Sequence, residues 1–225
     1  MRAFASARLA PNAATWDAEK TFPIDVLREA GELGLGGIYV KEDVGGSALS
    51  RFDAVAIFEE LAKGDTTIAA YISIHNMVAW MIDAYGNLPQ REQWLPRMVT
   101  MEHLGSYCLT EPGSGSDAAA LSTRAARTNE GWTLDGAKAF ISGAGRSDLY
   151  IAMVRTGAEG PGGISAMLVE DGTPGLSFGA NERKMGWNAQ PTRAVIFDNC
   201  RVPASQLVGA EGRGFRFDNP NAPAD

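Results

Sequence analysis

Apolar side chains return every three to four positions through roughly the first hundred residues, and every second position from Leu104 onward. In the first half, Pro23 falls in the opening turn of "FPIDVLREAGELG", where a missing N–H costs nothing, and Gly34 is placed to end that helix. Ser50-x-x-Asp53 has capping-box spacing; behind it Ala54, Ile57, Phe58 and Leu61 share a face, and Gly64 stops the helix. Asp65 caps the next one. There Ile68, Tyr71, Ile72, His75, Ala79 and Ile82 form one face, while Met77, Val78, Trp80 and Met81 make the other apolar too. The pattern predicts a helix buried on most sides and ending at Gly86. A further helical piece carries Trp94, with a break or restart expected at Pro96.

The alternating half reads as short strands in "LGSYCLT", "LSTRAART", "GWTLDGAKAFIS", "DLYIAMVR", "ISAMLVE", "GLSFGA" and "RAVIFDN". Turn chemistry separates them at Asn129-Glu130-Gly131, Gly160 to Gly163 and Asp171 to Gly175. Strands without helical spacers imply an antiparallel barrel or sandwich. Helices followed by strands give an α+β class, not α/β: an all-helical domain over 1–103, a β domain over 104–212 and a tail over 213–225. No internal repeat is visible.

Composition narrows the partners. Against 20 basic residues stand 27 acidic ones, a net charge of −7. No basic stripe is available for nucleic acid or an anionic membrane. The apolar run from Ile68 to Ile82, interrupted by His75 and Asn76, is too short and polar to span a bilayer. Two cysteines, Cys108 and Cys200, make no disulfide framework, so a reducing, cytoplasmic setting is expected. The alternative is the mitochondrial matrix, because the chain up to Asp17 has Arg2, Ser6 and Arg8 and no acid. The same segment also reads as an amphipathic helix of the folded domain.

The candidate chemistry lies in "YCLTEPGSGSD", Tyr107 to Asp117. Gly113-x-Gly115-x-x-Ala118 matches a dinucleotide fingerprint in letters, but another strand follows where the fingerprint needs a helix, and the match is set aside. Nucleophile-elbow, Walker A and H-E-x-x-H patterns are absent. His75 and His103 read as structural, with no metal-ligand spacing, and Glu59-Glu60 as a solvated edge. Pro112 and the two glycines can free backbone N–H groups to converge on an anion or carbonyl, and Thr110, Ser114 and Ser116 add short donors. Such a loop suits a large cofactor with ring carbonyls and phosphates; a plain tight turn is the other reading.

This loop, then "GAKAFISGAG", then "KMGWNAQPTRAVIFDNCRVP", preceded by "FPIDVLREAGELGLGGIYVKEDVGG", resembles the acyl-CoA dehydrogenase family from residue 1 to about 215. The wording looks closest to its short branched-chain members. The resemblance implies FAD along Tyr107, Cys108, Leu109, Thr110, Gly115 and Ser116. Thr110 would meet the flavin pyrimidine edge, and Ser116 both the pyrophosphate and the acyl-CoA. Phe140, Ile141 and Ser142 stand where relatives often have Trp-Ile-Thr, so Phe140 would cover a ring face and Ser142 would lie near N5.

The reaction implied is α,β-desaturation of a short acyl-CoA, with electron-transferring flavoprotein as acceptor and a homotetramer as the full-length form. After "EGRGFRF", where the family continues into a helical domain bearing the catalytic glutamate, this chain reads "DNPNAPAD". Met1 likewise falls inside the family's first helix. The expectation is therefore that no residue here is the catalytic base, that the tail is disordered and that the chain alone is inactive. A non-catalytic FAD- or acyl-CoA-binding module and an acyl-CoA oxidase are the alternatives.

Overall fold

Apolar anchors at Ala5 and Leu9 hold the amino-terminal segment in the core of a computed structural model that describes residues 1–215. Helix α1 (Arg2–Phe4) continues through a π turn, Ala5–Leu9, and is followed by α2 (Ala13–Glu19) and α3 (Ile24–Glu32). Pro23 is the cap residue of α3 rather than part of its first turn. Gly34, at φ +81°, ends α3 as expected: its N–H reaches Gly31 O and the Leu35 N–H reaches Ala30 O, the paired bonds of a Schellman cap. Helix α4 (Arg51–Gly64) begins with the Ser50–Asp53 capping box. Gly64 also lets the chains touch, since a Cβ there would lie 2.8 Å from Ala5 O and 2.9 Å from Leu9 Cβ.

Helix α5 (Thr66–Tyr85) starts at Asp65, which accepts from the Thr67 and Ile68 amides, and is buried on most sides as its double apolar face predicts. Helix α6 (Leu88–Val99) corrects one expectation: it runs unbroken through Pro96. Pro96 lies on the solvent face with Glu92, whose unbonded carbonyl can meet water, while Trp94, Leu95, Met98 and Val99 anchor the other face. No helix among the described residues is long and apolar enough to cross a membrane.

Among the described residues eight strands form one sheet: β1 (Gly105–Cys108), β2 (Arg124–Arg127), β3 (Gly131–Ser142), β4 (Leu149–Arg155), β5 (Ile164–Glu170), β6 (Leu176–Phe178), β7 (Thr192–Pro203) and β8 (Leu207–Val208). The order is β6-β7-β3-β2-β4-β5-β8, with β1 also paired to β4. The ends of that order are not joined, so the sheet is open rather than a closed barrel. Most pairings are antiparallel; β1–β4 and the single β2–β4 contact are parallel. They are parallel because the chain leaves β1 through the glycine loop and the β2–β3 hairpin before returning along β4.

Leu149, Ile151 and Met153 of β4 join Val78, Ile82, Leu95 and Met98 of the helices in one core cluster. Tyr150, Ala152 and Val154 face a second cluster with Trp132, Met167, Val195 and Phe197. Burial on both faces explains the apolar run of β4 and that of β5, which only Ser165 interrupts. The helices meet the sheet at β1, where a Cβ on Gly105 would lie 2.8 Å from Met98 Cε and 3.0 Å from Val78. The expected irregular tail lies, beyond Phe215, outside the described residues.

Candidate functional site

The loop after β1 is built as a small hairpin closed from both sides. Glu111 and Ser114 exchange backbone hydrogen bonds of 2.9 and 3.1 Å around Pro112-Gly113, and Ser114 Oγ donates to Asp117 O. The Glu111 side chain turns inward: Oε2 accepts from the Ser122 amide and hydroxyl, Oε1 from the Thr123 amide and from Lys138 Nζ at 2.7 Å. Lys138 Nζ also donates to the carbonyls of Leu109 and Met153. Desolvation would raise the Glu111 carboxyl, but the Lys138 and Thr123 donors outweigh it and bring it down to about 2. The pair is therefore structural, holding loop to strand, and sequence reasoning missed it. Its one signal was a lysine at an inward position of an alternating strand.

Between these ties the outer edge of the loop is left open. Among the described residues, neither the Thr110 hydroxyl nor the main-chain N–H groups of Gly113, Gly115 and Ser116 have a hydrogen-bond partner. A Cβ added at Gly113 or Gly115 would meet nothing within 4 Å, and neither residue has positive φ. Nothing in the fold of the described residues requires glycine at these positions. Their bare backbone is room for something else to approach.

The Phe140 segment lies beside the loop. The register of β3 against β7 shifts between Lys138 (opposite Val195) and Ile141 (opposite Arg193), a bulge that puts Ala139 and Phe140 against one residue. At the bulge the Ala139 N–H leaves β7 and donates to Thr110 O at 2.8 Å, so strand and loop are directly bonded. Phe140 takes φ +59° and is 64% exposed, a conformation costly for a non-glycine residue. Its neighbours Lys138 and Ile141 are buried.

The other expected residues divide by facing. Tyr107 and Leu109 are half-buried and rim the shared core with Met77 and Trp80. Cys108 points into the second core, where burial pushes its thiol up to about 12, and Ile141 is likewise buried; both can offer only main-chain atoms. Ser116 is exposed on the loop, and Ser142 is half-buried at the end of β3. Ser142 O accepts from Ser106 Oγ at 2.6 Å, and its hydroxyl accepts from Gln190 Nε2 at 3.2 Å. Gln190, like Glu111 and Lys138, was not singled out from sequence.

The two histidines are not ligands of this site. His75, fully buried, accepts from the Gly105 amide through Nδ1 and donates from Nε2 to Met98 O, bridging α5, α6 and β1. No group of His, Cys, Asp or Glu among the described residues is arranged to hold a metal ion.

Residues 1–102 match the acyl-CoA dehydrogenase N-terminal domain, and residues 106–200 the middle domain of the same family. The chain belongs to the acyl-CoA dehydrogenase family. It is 61% identical over 213 residues to the mitochondrial isobutyryl-CoA dehydrogenase of Dictyostelium discoideum, covering 94% of this chain and 51% of that protein. Butyryl-CoA dehydrogenase from Megasphaera elsdenii superposes with a TM-score of 0.89 at 35% identity, over 96% of this chain and 58% of its own. A structure described as the FAD complex of PigA gives 0.91 at 29% identity, over 96% and 57%. The chain thus spans about half the length of the curated relatives it matches. Within this chain, the loop and the Phe140 bulge are the parts whose geometry the packing of the described residues leaves unexplained.

Proposed function

We propose that this chain carries the flavin-facing wall of an FAD-dependent acyl-CoA dehydrogenase acting on a short, branched acyl-CoA. The observation that carries the reading is the Thr110–Phe140 juxtaposition. An exposed aromatic ring in a strained backbone conformation is bonded through its neighbour to a loop of unpaired donors. A flat ring with polar edges and a phosphate tail fits both features: an apolar face for Phe140, and donors for carbonyl and phosphate oxygens. FAD, when bound, supplies the hydride acceptor for α,β-desaturation.

The chain's own residues then have distinct roles. Thr110 and the main chain of Tyr107, Cys108 and Leu109 meet the polar ring edge; Gly115 and Ser116 present N–H groups to the pyrophosphate; Ser116 also touches the acyl-CoA. Phe140 excludes water from one ring face, the main chain of Ile141 lines it, and the Ser142 hydroxyl donates near N5. Fixing ring and thioester in one geometry is where much of the barrier reduction arises. Glu111, the buried carboxylate of the loop, is committed to Lys138, Ser122 and Thr123 and is not assigned as the base for the α-proton. For the whole protein we propose electron-transferring flavoprotein as electron acceptor and a homotetramer. The name of the Dictyostelium relative favours the mitochondrial matrix over the cytoplasm.

The test is optical. Purified chain is loaded with FAD, then given isobutyryl-CoA without oxygen. A yellow protein whose flavin spectrum shifts on adding isobutyryl-CoA, without bleaching, supports the flavin-facing wall; bleaching would place the α-proton base within this chain, and peroxide release in air points to an oxidase. A chain that takes up no FAD sinks the flavin reading.

A further inference from the structure

Gln190 is 2% exposed, and its backbone is held on both sides. Its carbonyl accepts from Lys184 Nζ at 2.8 Å, and the carbonyl of Pro191 accepts from the Gly143 amide at 2.8 Å. The side chain is thereby aimed at the end of β3, where Nε2 donates to Ser142 Oγ. Its Oε1 is buried and has no partner among the described residues. Leaving a buried amide oxygen unpaired costs about 1–3 kcal/mol, which a methionine or leucine of similar volume would avoid. Packing alone therefore does not account for an amide here.

We infer that Gln190 is a positioning residue that sets the direction of the Ser142 hydroxyl proton, and through it the electron affinity of the flavin; this rests on the flavin reading above. With one lone pair of Ser142 Oγ occupied by Gln190 Nε2, the hydroxyl is left as a donor into the site. The Ser142 peptide cannot swing away. Its carbonyl is held by Ser106 Oγ, which is itself linked to Ser147 Oγ at 2.7 Å and on to Tyr71 OH at 2.9 Å. A fixed donor at the ring edge where electron density grows stabilises the reduced ring over the oxidised one.

The test titrates FAD into the full chain and into Q190M, Q190E, S142A and the Q190M/S142A double variant. It reads the dissociation constant, the visible spectrum and the midpoint potential against a reference dye, with no acyl-CoA present. Wild-type protein that binds no FAD overturns the flavin reading and this inference together, before any variant is compared. Given binding, the expected result is an altered spectrum and a reduced-to-oxidised ratio lower by about fivefold in Q190M, equivalent to one neutral hydrogen bond. S142A should give the same shift, and the double variant no more than either alone. Q190E, whose carboxylate only accepts, should reverse the hydroxyl and shift the potential at least as far. Should Q190M not fold, S142A and Q190E carry the comparison. A wild-type spectrum and potential in Q190M or Q190E, or additive effects of Q190M and S142A, would overturn the inference and leave the flavin reading standing.

Discussion

Lys138 Nζ and Glu111 Oε1 lie 2.7 Å apart with both side chains buried, one on the strand that ends in Phe140-Ile141-Ser142 and the other at the mouth of the glycine loop. Five further hydrogen bonds surround the pair: Lys138 to the Leu109 and Met153 carbonyls, and Glu111 from the Ser122 amide, the Ser122 hydroxyl and the Thr123 amide. The loop is thus rigid at its base and unpaired at its rim, the combination a preformed binding edge requires.

Removing one member leaves the other charge buried and uncompensated. Lys138→Met is expected to lower unfolding stability by about 3–5 kcal/mol, and the Lys138→Met/Glu111→Gln double variant to recover part of that loss. Urea denaturation monitored through the buried tryptophans checks both. A single variant as stable as the wild type would show that the pair does not hold the loop.

Acid should destabilise the fold in two stages. Burial lowers His75 from 6.5 to about 4, against the opposing pull of the Met98 and Gly36 backbone and Asp148. The unfolded chain therefore binds the proton more readily. The stability contributed by neutral His75 is complete above pH 6.5 and lost as pH falls towards 4, on the order of 3 kcal/mol in all. Glu111, lowered from 4.5 to about 2, adds a second loss across that more acidic window. His75→Gln should be less stable at neutral pH yet flat between pH 6.5 and 4; an unchanged slope in that variant would assign the first stage to another group.

Local signals carried most of the fold. The bounds of β3, the Ser50–Asp53 box, the Asp65 cap and the buried faces of α5 all follow from neighbours in sequence, and the structure has each of them. What escaped was set by distant contacts. Pro96 continues its helix because burial of Trp94 and Met98 on the far side outweighs one missing hydrogen bond. The parallel β1–β4 pairing and the short β8 depend on how the chain returns to the sheet. At the site, the motif letters pointed to the loop and to Phe140. The bulge that frees Phe140 needs a count against β7, and the partners of Lys138 and Ser142 lie 27 and 48 residues away, at separations that periodicity does not register.

Phe140 gives a prediction in which stability and binding part company. Its left-handed backbone costs on the order of 1–3 kcal/mol, which glycine would relieve, against about 0.5–1 kcal/mol of extra chain entropy. Phe140→Gly should therefore be at least as stable as the wild type without cofactor, while FAD affinity falls about tenfold through loss of the ring face. Thermal melts with and without FAD separate the two effects, and a destabilised ligand-free variant would mean that the ring packs within the chain.

Gly115 tests the rim of the loop in the same way, without touching an aromatic ring. Its φ is not positive and a Cβ would meet no atom within 4 Å, so Gly115→Ala is expected to stabilise the ligand-free chain by about 0.4–1 kcal/mol, chiefly by restricting the unfolded state. If phosphate oxygens approach the bare backbone here, the added methyl group stands between them and the Ser116 N–H, and FAD binding weakens by about tenfold. Gly160→Ala is the contrasting control: open space surrounds that residue too, but at φ +89° the substitution should destabilise and leave FAD affinity alone. Equal FAD affinities in wild type and Gly115→Ala would place the pyrophosphate somewhere other than this loop.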